Sequence, residues 1–422
     1  MNGLVATAGL RPGLAYGALG LPLAFVALPL YVVLPNHYAS VFGVPLASLG
    51  ALLLGARLLD ALADPWIGRW VDGWFAHSTA RVLVICGVAA TVLSLGFHAL
   101  FFPPLQGPTA LLAWCAVLLA VTYLSYSVLA VVHQAWGARL GGDAAQRARI
   151  VAWREGLALA GVLVASVLPS LGGLGTTGAV FALALALGVA LLAVAPRTAD
   201  RTARLPPQSM RLPLANPAFR RLLLVFMVNG VASALPATLV LFFIRDRLQL
   251  AAYEPLFLFS YFAAGALSMP LWVRVVGRYG LARPWLAGML VAVAAFISAA
   301  ALGPGDLAAY TVVCVASGLA LGADLALPGA LLAGVIQRAG HTGRAEGAYF
   351  GWWNFATKLN LALAAGVALP LLGAFGYAPG ARGDDALGAL AIAYGLLPCA
   401  IKLFAAGLLY AIWMRTPHGE ET

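Results

Sequence analysis

Two acidic residues lie inside an apolar stretch that reads LLGARLLDALADPWIGRW, residues 53–70. Asp60 and Asp64 are four positions apart, so a helix places both carboxylates on one face, about 6 Å apart along its axis. Ionisable side chains inside such runs mark functional sites by default. A shared proton, a bound monovalent cation or a nearby basic group would neutralise the pair, and each of these events belongs to cation-coupled transport. We therefore predict that both aspartates bind a cation.

Basic residues offer charge partners for this pair. Arg57 lies three positions before Asp60 on nearly the same helix face, so a purely structural ion pair is the alternative interpretation. Lys358, in WWNFATKLNLALAAG, lies well inside a later apolar run, and we predict that it pairs with an aspartate and is displaced by the cation. Lys402 is in the last apolar run, where we expect its ammonium group to reach the membrane surface along its own stem.

Other polar side chains in apolar runs are candidates for contact with a solute. Asp324, in GLALGADLALPGALLAG, fits a pocket role or a buried hydrogen-bonded acid equally well. His133 and Gln134, in VLAVVHQAWGARL, fit solute binding or hydrogen-bonded packing. Trp353, next to Trp352, fits an interfacial anchor or a stacking platform for a solute.

The composition indicates what kind of protein surrounds these residues. Of 422 residues, 62% are hydrophobic and 9% are charged, whereas soluble domains carry about 25% charged residues. Apolar runs of membrane-crossing length recur along the chain. We predict an all-α polytopic membrane protein with twelve transmembrane helices. The predicted spans are 12–36, 44–72, 81–102, 108–139, 150–171, 176–195, 218–244, 253–276, 283–303, 306–338, 346–376 and 385–414.

The basic residues predict the orientation of these spans. The 25 Lys and Arg outnumber the 15 acidic residues, but they are dispersed among short loops, which argues against a nucleic-acid partner. Basic loops alternate with loops that lack Lys and Arg, such as LPNHYASVFGVP, FFPPLQGPT and LGGLGTTG. Because basic loops stay cytoplasmic, we expect both termini on the cytoplasmic side.

The chain divides into two halves of six spans each. We predict an N-terminal six-helix bundle at 1–195, a cytoplasmic linker at 196–217 and a C-terminal six-helix bundle at 218–422. VALPLYVVLP in the first span is echoed by SALPATLVLF in the seventh, and WREG by RAEG. Two matching halves with a site near the midplane between them are typical of secondary transporters. We expect access to alternate as one half rocks against the other.

Charged residues also lie at the predicted cytoplasmic ends of spans. Asp72 ends the second span, and Arg344 and Glu346 form part of the RAEG step before the eleventh. We predict gating or structural roles for all three.

The segment ARLLDALADPWIGRWVDG resembles the second helix of the glycoside–pentoside–hexuronide:cation symporters, the melibiose-permease branch of the major facilitator superfamily. That helix typically reads Ala-Arg-x-x-Asp-Ala-x-x-Asp-Pro-x-x-Gly. GDAAQRARIVAWREG resembles the loop between helices four and five, and ADLALPGALLAGV with TGRAEGAYFGWWNFATKL resembles helices ten and eleven. The resemblance covers nearly the whole chain in order. It implies a major facilitator fold in a bacterial inner membrane and symport of a small organic solute with Na⁺ or H⁺.

The resemblance also implies roles for individual residues. The helix-two carboxylates that bind Na⁺ or H⁺ in the family fall on Asp60 and Asp64, and the assisting helix-four hydroxyl falls on Ser127. The helix-eleven lysine falls on Lys358, and the arginine that opens helix five falls on Arg154. Together with the polar and aromatic residues named above, the candidate solute-binding residues are Tyr126, His133, Gln134, Arg154, Asp324 and Trp353.

Two departures from the family pattern concern the solute. Sugar-binding members have an aspartate in helix one, where this chain reads Leu21-Pro22, and another in helix four, where it has Ala130. The nearby tryptophan corresponds to Gln134. Because carboxylates bind sugar hydroxyls in pairs, a site lacking both aspartates is poorly suited to a glycoside. We expect a non-sugar solute, and the lysolipid carriers among the distant relatives make an amphiphile an alternative.

Two further functions compete with coupled transport. One is a transporter-like scramblase or assembly factor without coupling. The other is an intramembrane prenyltransferase, because Asp60, Asp64 and Asp72 imitate an aspartate-rich motif that holds Mg²⁺-diphosphate, although Asp246 and Asp324 do not form the second such motif. We expect no enzymatic activity, no cofactor besides Na⁺ or H⁺ as coupling ion, and no metal beyond a Na⁺ at the acid pair. We also expect a monomer whose partners are membrane lipids and a small-molecule solute.

Overall fold

The structure is a computed structural model that describes residues 9–197 and 209–415. The regular elements in these two ranges are helices, and we label the membrane-crossing ones α1 to α12. Their bounds are Leu10–Ser40 (α1), Leu46–His77 (α2), Thr79–Phe101 (α3), Pro108–Arg139 (α4), Ala144–Val194 (α5 and α6), Pro217–Arg247 (α7), Ala251–Tyr279 (α8), Ala282–Ala300 (α9), Leu307–Arg338 (α10), Glu346–Ala374 (α11) and Asp384–Met414 (α12).

Ala144–Val194 contains two membrane spans. Its 51 residues are far more than the roughly 20 that cross the hydrocarbon once as a helix. The chain leaves the helical conformation at Gly173, with φ 73° and ψ 175°, a region that glycine enters readily because it has no Cβ. α5 ends at this glycine and α6 begins after it.

The predicted all-α fold of twelve spans is confirmed. Within the described ranges, nine helices are long and apolar enough to cross a membrane, and Ala144–Val194 is counted once among them. α2 and α11 are not among these nine, but with 32 and 29 residues they also have crossing length. The order of helices along the chain agrees with the two-half arrangement of the major facilitator fold.

Several helix ends differ from the predicted ones because polar residues cap them. α5 begins at Ala144 rather than at residue 150, since Asp143 and Gln146 form a capping box. The Asp143 carboxylate accepts from the Gln146 backbone N–H at 2.8 Å, and the Gln146 side chain accepts from the Asp143 N–H at 3.0 Å. α2 continues to His77 rather than residue 72, and Ser78 then caps α3 by accepting from the Arg81 N–H.

The described residues group into two compact units. The first comprises the described residues up to Ala215 together with Ile336–Phe355, and the second comprises Asn216–Val335 and the described residues from Ala356 onward. One unit boundary thus falls just before α7, and the other two fall inside α10 and α11. Residues 198–208 of the predicted linker lie outside the described residues, and the remaining part includes the short helix Leu212–Ala215.

The core of the second unit joins α7, α10 and α12 through aromatic side chains. The rings of Phe243 and Tyr394 stack with centroids 4.2 Å apart, and the hydroxyls of Tyr310 and Tyr394 lie 2.7 Å apart. All three residues are buried. This packing joins three of the four helices that supply the polar cluster described below.

Candidate cation site and charge clusters

The acid pair lies on the buried face of α2. Asp60 and Asp64 are 3% and 0% exposed, whereas Leu59, Leu62 and Trp66 on other faces of the helix are about half exposed. The four-residue spacing therefore directs both carboxylates away from the surroundings of the helix and into the first unit. Burial of both carboxylates is what we expect of a cation-binding pair and not of a surface pair.

Ser127 of α4 supplies the third oxygen. Its hydroxyl donates to Oδ1 of Asp60 at 2.6 Å, and the serine is 1% exposed. The structure thus places the hydroxyl that the resemblance assigns to the cation on Asp60, one helical turn from Asp64. Two carboxylates and a hydroxyl form an all-oxygen donor set, the type that hard cations prefer.

Aromatic side chains lie beside Arg57, about one turn before Asp60 on α2. The guanidinium of Arg57 lies 4.1 Å from the ring centroid of Tyr31, and that ring meets Tyr123 edge-on at 6.0 Å. Arg57 itself is exposed, and Tyr126 is half-buried. Tyr31 and Tyr123 were not indicated by the sequence, because a tyrosine in an apolar helix has no spacing that separates packing from binding.

α2 and the start of α11 approach each other at glycines. A methyl group on Gly68 would overlap the carbonyl oxygen of Gly347, and one on Gly351 would lie 2.5 Å from the backbone oxygen of Asp64. Small residues allow membrane helices to approach this closely. Pro65, within α2, has no N–H to donate to the preceding turn. The backbone around Asp64 therefore combines one missing helical hydrogen bond with a close contact to α11.

Charged residues at the end of α2 form a second cluster, which comprises Asp72, Arg139 and Glu346. The Asp72 carboxylate accepts from the backbone N–H groups of Gly347 and Ala348 at 2.7 and 2.8 Å. Arg139 lies 3.2 Å from the Glu346 carboxylate and 3.9 Å from that of Asp72. An acid at the first turn of a helix satisfies free N–H groups and complements the helix dipole. The cluster fastens α11 to α2 and α4.

Arg139 is a member that sequence reasoning missed as a site residue. It stands at the last position of α4 and stacks 4.1 Å over the ring of Phe75. Arg344 lies in the loop before α11, beside His341. Partial burial, and after it the Arg344 charge, lower the pKa of His341, whose Nδ1 lies 2.9 Å from the Tyr349 hydroxyl.

The remaining candidates on α4 and α5 differ in their surroundings. His133 is buried and donates from Nε2 to the carbonyl of Tyr16 at 2.7 Å, while the Tyr16 hydroxyl donates to the carbonyl of His133 at 3.0 Å. Arg154 is bonded through Nε and Nη2 to the carboxylate of Glu155, at 2.8 and 2.7 Å. The amide oxygen of Gln134 is buried and has no hydrogen-bond partner among the residues that the structure describes.

Two candidates lie on α11. Trp353 is buried in the first unit, and its neighbour Trp352 donates from Nε1 to the carbonyl of Met210 at 2.8 Å. Lys358 is half-buried in the second unit. Its pairing with Asp60 or Asp64 stays a prediction.

The expectation that Lys402 reaches the membrane surface is wrong. Lys402 of α12 is 5% exposed, and its Nζ lies 2.8 Å from Oδ2 of Asp324 on α10. Asp324, which stands alone in the sequence of its span, is thus half of an ion pair inside the second unit. The pair comes from two helices far apart in the chain, so no local spacing indicated it.

Three further polar side chains surround this ion pair: Asn229, Ser233 and Trp285. We call the five residues together the α12 ammonium cluster. Lys402 also donates to Asn229 Oδ1 and Ser233 Oγ, both at 2.9 Å. Asp324 Oδ1 accepts from Trp285 Nε1 at 3.0 Å and from Asn229 Nδ2 at 3.1 Å.

Comparison with known proteins finds transporters. The family model for MFS/sugar transport proteins matches residues 12–414. The inner membrane symporter YicJ of Escherichia coli (strain K12) is 26% identical over 141 residues, which are 31% of this chain and only 28% of that protein. The uncharacterized symporter YjmB of Bacillus subtilis (strain 168) is 21% identical over 417 residues, which cover 90% of this chain and 88% of that protein.

A solved structure shares the fold. The outward-facing structure of a bacterial homologue of the iron transporter ferroportin superposes with a TM-score of 0.72 at 16% identity, over 95% of this chain and 98% of that one. The family match and the relatives named as symporters confirm the resemblance stated from the second helix. The chain therefore belongs to the MFS/sugar transport family, and its long apolar helices are those of a multi-pass membrane protein.

Proposed function

We propose that the chain is a secondary transporter that couples the movement of a small organic solute to Na⁺ or H⁺. The cation binds at Asp60, Asp64 and Ser127. The observation that carries the proposal is the buried acid pair on one face of α2 with the Ser127 hydroxyl 2.6 Å from Asp60. Arg57 and Lys358 are the charge partners that compete with the cation.

The surroundings of the pair support a polar solute with hydrogen-bond donors. The unsatisfied amide oxygen of Gln134 lies on the face of α4 that also carries Ser127, because seven positions are nearly two helical turns. Buried acceptors are expensive to leave unpaired, so a donor group of the solute is suited to this position. Leu21-Pro22 and Ala130 stand where carboxylates bind sugar hydroxyls in the resembled family, so the solute class is non-sugar.

The direct test has two stages. Thermal unfolding of the purified protein is first measured across a panel of polyols, amines, carboxylates and lysolipids, with and without Na⁺ and across pH. The solutes that raise the unfolding temperature only with the cation are then followed as uptake into proteoliposomes. A lysolipid that stabilises without any cation dependence would instead favour the amphiphile carrier.

Neutral isosteres then test the site itself. We expect Asp60→Asn and Asp64→Asn to lose both the cation-dependent uptake and the cation-dependent rise in unfolding temperature, because a neutral amide no longer balances the cation charge. Asp143→Asn is the matched control, since Asp143 is exposed and asparagine is an equally good N-cap. Full cation-dependent uptake by Asp60→Asn would overturn the assignment.

A further inference from the structure

The Lys402 ammonium group lies in a complete shell of oxygen atoms. Its three N–H donors meet three acceptors: Oδ2 of Asp324 at 2.8 Å, and Asn229 Oδ1 and Ser233 Oγ at 2.9 Å each. A carboxylate, an amide carbonyl and a hydroxyl are the side-chain oxygens that also coordinate hard free cations. The shell therefore has the chemistry of a cation site, with the end of a side chain in the place of the ion.

The hydrogen bonds around the shell fix how each group is oriented. The Asn229 amide presents its oxygen to Lys402 and its nitrogen to Asp324 Oδ1, at 3.1 Å. The opposite orientation would place N–H groups against the ammonium. Trp285, fully buried, holds the same carboxylate oxygen from a fourth helix. Asp324 thus has a fixed geometry before any cation arrives, which is what distinguishes a preformed site from a chance ion pair.

The cluster is largely buried except at one of its ligands. The side chains of Lys402 and Asp324 are 6% and 13% exposed, whereas Ser233 is an exposed residue of α7. One ligand of the shell therefore borders the surroundings of the unit. Ser233 is therefore the ligand at which we infer that a small cation enters the shell once the ammonium is removed.

We propose that Asn229, Ser233 and Asp324 form a second monovalent-cation site, which the chain fills with its own Lys402 ammonium. The ligand class of the shell is an ammonium-type cation, and the wild-type protein takes up no external cation there. A corollary, which rests on the proposed function, is that coupling to an external cation is confined to Asp60 and Asp64.

The test removes the tethered cation and supplies a free one. All variants carry Asp60→Asn and Asp64→Asn, so that the first site is silent and the result is independent of coupled transport. Thermal unfolding of the full chain in detergent is measured with Lys402 intact, with Lys402→Ala and with Lys402→Met. Each is titrated with methylammonium chloride and with NaCl, and choline chloride keeps the ionic strength constant.

Lys402→Ala removes both the ammonium group from the oxygen shell and the methylene chain that leads to it. We expect its unfolding temperature to fall and then to rise by roughly 2–4 °C with saturating methylammonium, since a ligand that binds only the folded state stabilises it. Lys402→Met fills the same space without charge and is expected to show no such rise. Asp324→Asn combined with Lys402→Ala is also expected to show none, because the anionic ligand is gone.

Two results would overturn the proposal. One is a Lys402→Ala variant whose unfolding temperature does not respond to methylammonium or Na⁺. The other is a parent with Lys402 intact that responds as strongly as Lys402→Ala. If Lys402→Ala does not fold, the neutral pair Asp324→Asn with Lys402→Met decides. Asp324→Asn alone leaves a buried ammonium without its anion. If Lys402 fills a cation site, the neutral pair is therefore more stable than Asp324→Asn alone. A less stable neutral pair contradicts the proposal.

Discussion

At the scale of single residues, the Ser127 hydroxyl is the neutral group among the three proposed cation ligands. We predict that Ser127→Ala raises the cation concentration for half-maximal uptake by roughly tenfold or more, because a hydrogen bond to a charged group contributes about 1.5–3 kcal/mol and each 1.4 kcal/mol is a factor of ten. Maximal uptake is expected to stay near that of the wild type.

Ser127→Thr is the control for this change, since threonine keeps the hydroxyl. Uptake measured against cation concentration in proteoliposomes distinguishes the two variants. An unchanged half-saturation in Ser127→Ala would remove the serine from the site and leave its bond to Asp60 as packing.

The sequence revealed the acid pair but not the α12 ammonium cluster, and the reason is physical. Asp60 and Asp64 are neighbours on one helix, so the 3.6-residue period alone brings them together. Lys402 and Asp324 meet only because α10 and α12 pack beside α7. An isolated charge in an apolar span shows that a partner is required, but the identity of the partner depends on tertiary packing.

At the scale of helices, the crossing of α2 and α11 depends on glycines. We predict that Gly68→Ala lowers stability by about 1–3 kcal/mol, as overpacking does, because its methyl group would overlap the Gly347 carbonyl. The readout is the thermal unfolding temperature in detergent.

Gly73→Ala is the matched control on the same helix. A methyl group there meets no heavy atom within 4 Å, and alanine is the better helix former by about 1 kcal/mol. We therefore expect this variant to be as stable as the wild type or slightly more stable. If both alanines had the same effect, helix propensity rather than the close approach would explain the result.

The number and order of the helices can be predicted from the sequence, whereas the residues at which helices begin and end are predicted less accurately. Apolar length counts the spans, because the hydrocarbon thickness sets a minimum. The start of α5 was placed six residues late, at 150 instead of Ala144, since polar first-turn residues reduce the apolar signal while the Asp143 capping box extends the helix. Capping depends on side-chain hydrogen bonds, which hydropathy does not measure.

At the scale of the whole molecule, the alternation of basic and uncharged loops predicts which loops face the cytoplasm. The four native cysteines are buried, so engineered surface cysteines report with little background. We predict that Leu105→Cys reacts with a membrane-impermeant maleimide on intact spheroplasts, whereas Tyr279→Cys reacts only after permeabilisation. Both positions are exposed, at 41% and 50%, which makes them a matched pair.

Labelling in the opposite pattern would invert the predicted topology. Labelling of both positions on intact spheroplasts would contradict the odd number of spans, α4 to α8, between them. The membrane class itself follows from composition, because so few charged residues cannot cover a water-exposed surface. The solute does not follow in the same way, since it depends on a few side chains such as Gln134 whose environment exists only in the folded chain.

The reversal at Gly173 has a practical consequence for reagents aimed at this protein. α5 passes into α6 with almost no intervening polar chain. That hairpin therefore has no extended loop that an antibody or a protease could bind or that could carry a bulky tag. Longer connections such as residues 375–383 between α11 and α12 offer one. An epitope inserted beside Gly173 would have to break the helical turns on either side of it, whereas the same epitope beside Gly380 would lengthen an existing connection.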